Sequence, residues 1–309
     1  MSEAEEATTA QAPFDGHDCD LILCSTNGVN FHVFKLILWL MTTRAVFKHK
    51  FTLPQSEFQE DVSSVPVIHV AESSTTLRSL LLLCYPAATP TFDNLDDAKA
   101  VLEAAKNYDM QAALNRAGDL IIAQFLSDHF LDLYALSCQF GWEHHAQTAA
   151  TRALEIKDLG RPSNGFNGMR DITALDYHRL LVYHYECGLA AQEVGDSLSW
   201  LGPSYRDMQM WRKCSCRGSG VRTRQVADVG TSTMVPWFDE YLILSGKELL
   251  ARPCESTLLE SESYNRAIIK AVECNDCGST VVKSMDRFRA LYIAQVKKVV
   301  ATVRLREAF

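Results

Sequence analysis

The tightest groupings of chemistry-bearing side chains are two cysteine pairs, Cys214-Ser215-Cys216 and Cys274-Asn275-Asp276-Cys277. Cys-x-x-Cys is a usual metal-knuckle spacing, because two thiolates placed so can reach one tetrahedral ion at about 2.3 Å. Cys-x-Cys is a less usual chelate. Arg212, Lys213 and Arg217 flank the first pair, where they lower thiol pKa values and offset the surplus charge of four thiolates. The expectation is a structural zinc held by Cys214, Cys216, Cys274 and Cys277. Free thiols are the first alternative and a disulfide or redox pair the second. Four thiolates leave no open coordination position, so the metal's role would be structural. The six other cysteines (Cys19, Cys24, Cys84, Cys138, Cys187 and Cys254) lie in apolar segments and read as core, although Cys254 could replace one ligand.

Catalytic groupings are lacking. The sequence has no recognisable nucleophile–His–Asp arrangement, no His-Glu-x-x-His and no Cys-x-x-Cys opening a helix after a strand. His144 and His145 are adjacent and point about 100° apart on a helix, so they read as surface residues. Ser245-Gly246-Lys247-Glu248 lacks the preceding glycine and the following Ser or Thr of a phosphate loop. The reading is that the protein is not an enzyme.

The elements that must carry these residues differ between the two halves. Cys19, Leu21 and Leu23 alternate with Asp20, Ile22 and Cys24, which is strand periodicity. Asn27-Gly28 is a strong hairpin signal, and Val29, Phe31 and Val33 return as the second strand. From Lys35 the period becomes helical, through Leu36, Leu40, Phe47 and Phe51. Val65–Val70 reads as a third strand that starts at Pro66 or lies at a sheet edge. Ser73 or Ser74 can cap a helix over Thr75–Cys84, stopped by Pro86. Helical faces follow: Leu95, Ala98, Leu102, Ala105, Tyr108, and then Leu114, Ala117, Ile121, Phe125. A small sheet with flanking helices is an α+β arrangement.

The second half reads as helices. Leu131–Phe140, Gly141 as C-cap and Ala146–Leu154 form a helical hairpin whose alanines permit close packing. Ile172–Cys187 is a third helix, with Leu175, Leu181, Val182 and Tyr185 on or near one face and Tyr177, Tyr183 and Tyr185 read as packing. Met285–Arg306 reads as a terminal amphipathic helix, a packed one before a membrane-binding one. Arg217, Arg222 and Arg224 form a small basic patch.

The 309 residues allow two domains, and 47% hydrophobic with 22% charged residues is ordinary for a globular chain. A formal charge of −8 argues against broad binding to nucleic-acid backbones. Met1–Ala12 is acidic and carries neither a basic start nor an apolar run, so it reads as a disordered tail and not a secretory signal. The apolar stretch Leu80–Tyr85, which no other run exceeds, is far shorter than the roughly 20 residues of a membrane span. No Asn-x-Ser/Thr site occurs. Together these give an intracellular chain, cytoplasmic or nuclear, whose cysteines stay reduced.

Several motifs, taken in order, resemble the BTB/POZ domain family. Asp18-Cys19-Asp20-Leu21-Ile22-Leu23, Asn27-Gly28, Phe31-His32-Val33-Phe34-Lys35 and Leu38 are similar to its opening signature, with Thr42 or Thr43 and Phe47 at its Ser and Phe positions. Ile68-His69-Val70-Ala71-Glu72, Leu80–Tyr85 and Ala104-Ala105-Lys106-Asn107-Tyr108-Asp109-Met110 resemble its later strand and helices. Phe34 stands where the family has His, keeping burial without the imidazole bond, and Asn27 where it has Asp. The resemblance implies a protein-interaction module. Many members form homodimers around a buried Asp and a basic residue; here Asp20 takes the first place and His32 the second, with His32 or Lys35 able to pair with the carboxylate. Local capping by Asp20 within a monomer is the alternative. Other members recruit a cullin scaffold, but no apolar-x-Glu element is evident in Phe51–Asp61. The Leu-Tyr-Ala-Leu…Phe-Gly-Trp stretch resembles fungal members. The expected layout is a tail over 1–15, a BTB/POZ domain over 16–126, a helical extension over 127–200 and a cysteine-bearing helical module over 201–309. The expected function is a dimerising or partner-recruiting adaptor, as in cullin-type ubiquitin ligases. A transcriptional or chromatin regulator with a zinc-stabilised module is the alternative.

Overall fold

The computed structural model describes residues 8–42, 65–85, 89–201, 222–226 and 230–306. They divide into two compact units, Met1–Asp128 and His129–Phe309.

The first unit is built on a four-stranded sheet of order β1-β3-β2-β4, from β1 (Thr8–Thr9), β2 (Leu21–Cys24), β3 (Val29–Val33) and β4 (Val67–His69). The hairpin joining β2 and β3 pairs Leu21 with Val33 and Leu23 with Phe31. Gly28 sits at φ +77°, a conformation that suits residues without a Cβ. Asn27 adds a tie: its Oδ1 accepts from the Ser74 amide at 2.9 Å, and its Nδ2 donates to Ser74 Oγ at 2.8 Å. The turn is thereby fastened to the start of the next helix. β4 runs parallel to β2 at the sheet edge, just after Pro66, where a missing N–H costs nothing. β1 pairs with β3 in parallel at the other edge.

Helices α1 (Lys35–Met41), α2 (Ser74–Cys84), α3 (Leu95–Asn107) and the start of α4 (Gln111–Phe140) complete the unit. Ser73 caps α2 by accepting from the Thr76 amide at 3.2 Å. Asn94 caps α3 by accepting from the Asp97 amide at 2.8 Å. Between α3 and α4, Asp109 takes φ +54° and closes a C-terminal cap: its amide bonds Lys106 O, and the Met110 amide bonds Ala105 O. The core holds Leu21, Leu23, Phe31, Val33, Leu38, Leu77, Leu80, Ala98 and Leu102, all essentially inaccessible. Phe14 belongs to it as well, packed edge-on against Tyr85 at 5.2 Å. Residues 8–15 are therefore part of the fold rather than of the expected tail: Ala10 donates to Asn30 O, and Arg78 holds the Gln11 and Ala12 carbonyls at 3.0 and 2.8 Å.

The second unit is helical, apart from a hairpin of β5 (Thr223–Val226) and β6 (Gly230–Thr233). α4 departs from helical geometry at His129 (φ −123°, ψ 25°) and runs on to Phe140. Gly141, at φ +69°, ends it: the Trp142 amide reaches back to Ser137 O at 2.8 Å. α5 (Glu143–Ala153), α6 (Ala174–Asp196), α7 (Pro236–Ala251), α8 (Glu255–Leu259), α9 (Glu262–Val272), α10 (Asn275–Gly278) and α11 (Val281–Val300) follow. α6 and α7 pack closely because small residues line their crossing: a Cβ on Gly188 would lie 2.5 Å from Leu250 O. An aromatic core of Trp200, Phe238, Tyr241, Phe288 and Tyr292 fills the interior.

Three details of this unit differ from the sequence reading. The buried stripe of α6 is Leu180, Tyr183, His184, Cys187, Ala191 and Val194, whereas Leu175 and Tyr185 face solvent. A helical face with alternating aromatics fits two registers, and close approach of α7 at Gly188 selects the one that carries the small residues. The last helix ends at Val300, and residues 301–306 leave it as an irregular segment. The spans 127–200 and 201–309 are not separate modules, since α6 and α7 are mutually packed within one unit.

Candidate interaction surface

The N-terminus of α1 is where the first unit gathers its candidate site residues. Phe34, in an extended conformation (φ −102°, ψ 123°), precedes the helix and makes no side-chain cap. The cap comes from a strand instead: Asp20 Oδ1 accepts a hydrogen bond from the Lys35 amide at 2.7 Å. A carboxylate there satisfies an otherwise unpaired amide and faces the positive end of the helix. The Phe34 amide donates to Tyr85 Oη at 3.2 Å, which ties the same corner to the end of α2.

Asp20 is exposed in the single chain, and among the described residues no ion pair joins it to His32 or Lys35. His32 turns elsewhere: its Nδ1 lies 3.0 Å from Gly16 O, and its ring stands 6.2 Å from that of His17. Of the three residues singled out, the structure thus joins Asp20 to Lys35 through the lysine's backbone and leaves His32 apart.

α1 buries only Leu38. Leu36, Trp39 and Leu40 are spaced i, i+3, i+4 and so share a face. They are 61%, 51% and 68% exposed, and Phe34 beside them is 44% exposed. Phe34 therefore does not keep the burial expected of it, because its extended backbone at the helix entrance turns the ring outward. Sequence periodicity could place these residues on one helical face, but it could not say that the core takes Leu38 and leaves Leu36 and Leu40 largely exposed. A contiguous apolar face of this kind marks an interaction surface more often than a scattered leucine does. Elsewhere in the unit two polar side chains are tied internally: Tyr108 Oη donates to the Glu72 carboxylate, and Arg116 donates to Leu83 O at 3.0 Å.

Residues 11–124 match the model of the BTB/POZ domain family. The N-terminal unit carries a BTB/POZ domain. It is an interaction module by family, and the chain continues beyond it as a mostly helical region. Among curated proteins, none matches the chain. The sheet with its flanking helices and the helical second unit give the α+β class read from the sequence. Among the described residues, no helix is long and apolar enough to cross a membrane.

The cysteine constellation is placed only in part. Cys214 and Cys216, with Arg217, lie outside the described residues, as does Phe51–Asp61. Cys274 is buried and Cys277 half-buried; Cys274 precedes the single turn of α10 and Cys277 lies within it, and the Cys277 and Gly278 amides donate to Cys274 O at 3.2 and 2.9 Å. Among the described residues, no group of three or more His, Cys, Asp or Glu side chains converges. Of the six cysteines read as core, Cys24, Cys84 and Cys187 are buried, and Cys19, Cys138 and Cys254 are half-buried. Burial pushes the Cys84 and Cys187 thiols up to about 12.

Of the described members of the basic patch, one is internal. Arg224 is buried, with its Nε donating to Asp239 Oδ1 at 2.8 Å and its Nη1 to Gly195 O at 2.6 Å. Arg222 remains exposed, 3.9 Å from the same carboxylate. An arginine committed to an internal carboxylate and carbonyl is a structural cation, not a phosphate contact.

Proposed function

We propose that this protein is an intracellular protein-interaction adaptor with no catalysis of its own. In this reading the BTB/POZ domain self-associates or recruits a partner through the α1 face, and the helical unit recruits a client. The observation that carries it is the exposure of Phe34, Leu36 and Leu40 on a helix whose entrance is already capped by Asp20. A second copy laid on this face would cover these side chains and bring Asp20 out of water, where the carboxylate is already committed to the Lys35 amide. A stable interface needs about 800 Å² per partner, so neighbouring surface would join this face.

The test is sedimentation equilibrium of the full chain beside a Leu36→Glu, Leu40→Glu double variant. Self-association of the parent and its loss in the variant supports the dimer. Because both side chains are solvent-exposed, thermal stability should change by only about 0.5 kcal/mol per substitution. A parent that stays monomeric at high concentration removes the homodimer and leaves recruitment of another protein. Co-purification from lysate addresses that case: a cullin retained by the parent and lost by the variant makes the protein a ubiquitin-ligase substrate adaptor.

A transcriptional or chromatin regulator with a zinc-stabilised C-terminal module is the second reading. It draws support from Cys274 and Cys277 sharing one turn, with Cys214 and Cys216 as the remaining ligands. Metal analysis of protein purified without chelator decides it: one zinc per chain, lost in a Cys274→Ser, Cys277→Ser variant, supports the module. Absence of zinc leaves the four as free thiols.

A further inference from the structure

We propose that the helical unit contains a binding site for a small amphiphilic acid, an apolar body carrying one carboxylate, between α5, α6 and α11. A cavity of about 390 Å³ lies there, within the range of about 300–1,000 Å³ usual for small-molecule sites. Its walls are mainly apolar, from Leu154, Pro253, Val296, Val300 and Val303. The polar groups that reach it from α5 and α6 satisfy one another: Gln147 Nε2 donates to Tyr183 Oη at 3.0 Å, and Thr151 Oγ1 lies 3.2 Å from that hydroxyl. The interior thus offers an apolar body few polar atoms that still demand a partner.

One wall is the segment that leaves α11 at Val300. It is held in place: the Leu305 amide donates to Gln147 Oε1 at 2.7 Å, Arg179 Nε donates to Arg306 O, and Arg306 pairs with Glu186. A wall fixed by the protein's own bonds spares a ligand the cost of ordering it.

The rim sets the ligand's charge. Arg152, Lys297 and Arg304 stand against Glu155 and Glu255, three cations against two carboxylates, leaving a surplus of one positive charge. Arg152 pairs with Glu155, and Lys297 with Glu255. Arg304 is exposed and has no ion pair among the described residues. Its planar guanidinium matches one carboxylate in a two-bonded geometry. A phosphate's second charge would find no further cation at the rim, since Arg152 and Lys297 are already paired with Glu155 and Glu255, so a monoanion fits better.

The experiment titrates the full chain with decanoate, decanol and decyltrimethylammonium, each below its micellar concentration, by calorimetry. The expected order is decanoate tightest. Arg304→Ala should weaken decanoate about 10- to 100-fold, the worth of a charge-assisted hydrogen bond, and leave decanol unchanged. Val303→Trp, which fills the cavity, should abolish binding of all three. Absence of decanoate binding, equal binding of the three head groups, or decanoate binding indifferent to Arg304→Ala overturns the proposal. Binding that survives Val303→Trp in a folded variant places the ligand elsewhere and overturns it too; if that variant does not fold, Arg304→Ala decides alone.

Discussion

Replacing Asp239 by Ala should be among the most damaging single changes to the helical unit. The Arg224 side chain is 7% exposed and that of Asp239 12%. The guanidinium is placed by the β5 hairpin, and the carboxylate by the first turn of α7. Removing the carboxylate leaves a buried cation with the Gly195 carbonyl at 2.6 Å and the largely exposed Asp196 carboxylate at 3.5 Å. Breaking a buried pair from one side costs about 3–5 kcal/mol, because the remaining charge stays desolvated. The Gly195 bond offsets a little of this, so the lower half of that range is expected. For a unit of 150–250 residues, 1 kcal/mol corresponds to roughly 2–4 °C in Tm, which gives a fall of about 6–16 °C. The controls separate charge burial from simple contact loss. Asp196→Ala removes an exposed partner and should cost no more than about 1 kcal/mol. Arg224→Leu with Asp239→Leu removes both charges and should recover most of the loss, since apolar replacement of a whole buried pair is often neutral. Differential scanning calorimetry of the full chain reads all three. If Asp239→Ala shifts Tm no further than Asp196→Ala, the pair is not a structural element and Arg224 returns to the surface as a candidate contact.

The crossing of α6 and α7 predicts opposite signs for two similar substitutions. Gly188→Ala puts a methyl 2.5 Å from a backbone carbonyl that cannot yield without moving α7, so it should destabilise by about 1–3 kcal/mol. Gly246→Ala meets nothing nearer than Gln192 Cγ at 3.5 Å and Gln192 O at 3.7 Å, ordinary contact distances, and should stabilise by up to about 1 kcal/mol through helix propensity, so equal signs in a denaturation series would contradict the packing. Burial lowers the His184 pKa, only partly offset by the bond from Nε2 to Ile156 O. The unfolded chain then takes up a proton near its ordinary pKa of about 6.5 while the folded one resists, so stability should fall as pH drops from 7 towards 5. His184→Gln should flatten that slope in Tm against pH, and an unchanged slope would acquit this residue. Cys84, pushed up to about 12 by burial, should resist iodoacetamide at pH 8 in the native protein and react on unfolding; peptide-resolved alkylation that labels it as fast as Cys19 would show that the α2 core opens readily.

The parts of the fold legible in the sequence are those fixed by local chemistry. Asn27-Gly28, Pro66, Ser73 and Gly141 each act through their own backbone or the next turn, and each stands where that chemistry puts it. The motif ending Tyr108-Asp109-Met110 was legible only by resemblance. Its reason is the left-handed conformation of Asp109, a cap that glycine usually supplies and aspartate tolerates. What the sequence could not disclose depended on partners distant along the chain. β1 is two threonines with no periodicity to announce it, and it exists because β3 offers a free edge. Arg224 reads as a surface cation until Asp239 is brought beside it. The buried face of α6 was misread for the same reason, since Gly188 and Ala191 carry no hydrophobic signal and yet decide where α7 lies.

That distinction also separates structure from recognition in the BTB/POZ domain. Asp20, Asn27, Arg78 and Arg116 are polar groups of the kind a sequence reading assigns to binding, and each spends a hydrogen bond on a backbone atom of its own unit. Asp20 alone also borders the exposed side chains of α1, so its cap and a role at an interface are compatible: the bond that orders the start of α1 also presents Leu36 and Leu40 at a fixed angle. That face itself contributes little to the core, where Leu38 supplies the helix's only buried side chain. Side chains that leave most of their apolar area in water, as Leu36 and Leu40 do, raise the tendency to associate. An adaptor role is therefore better supported by the exposed Phe34, Leu36 and Leu40 than by Asp20, His32 and Lys35.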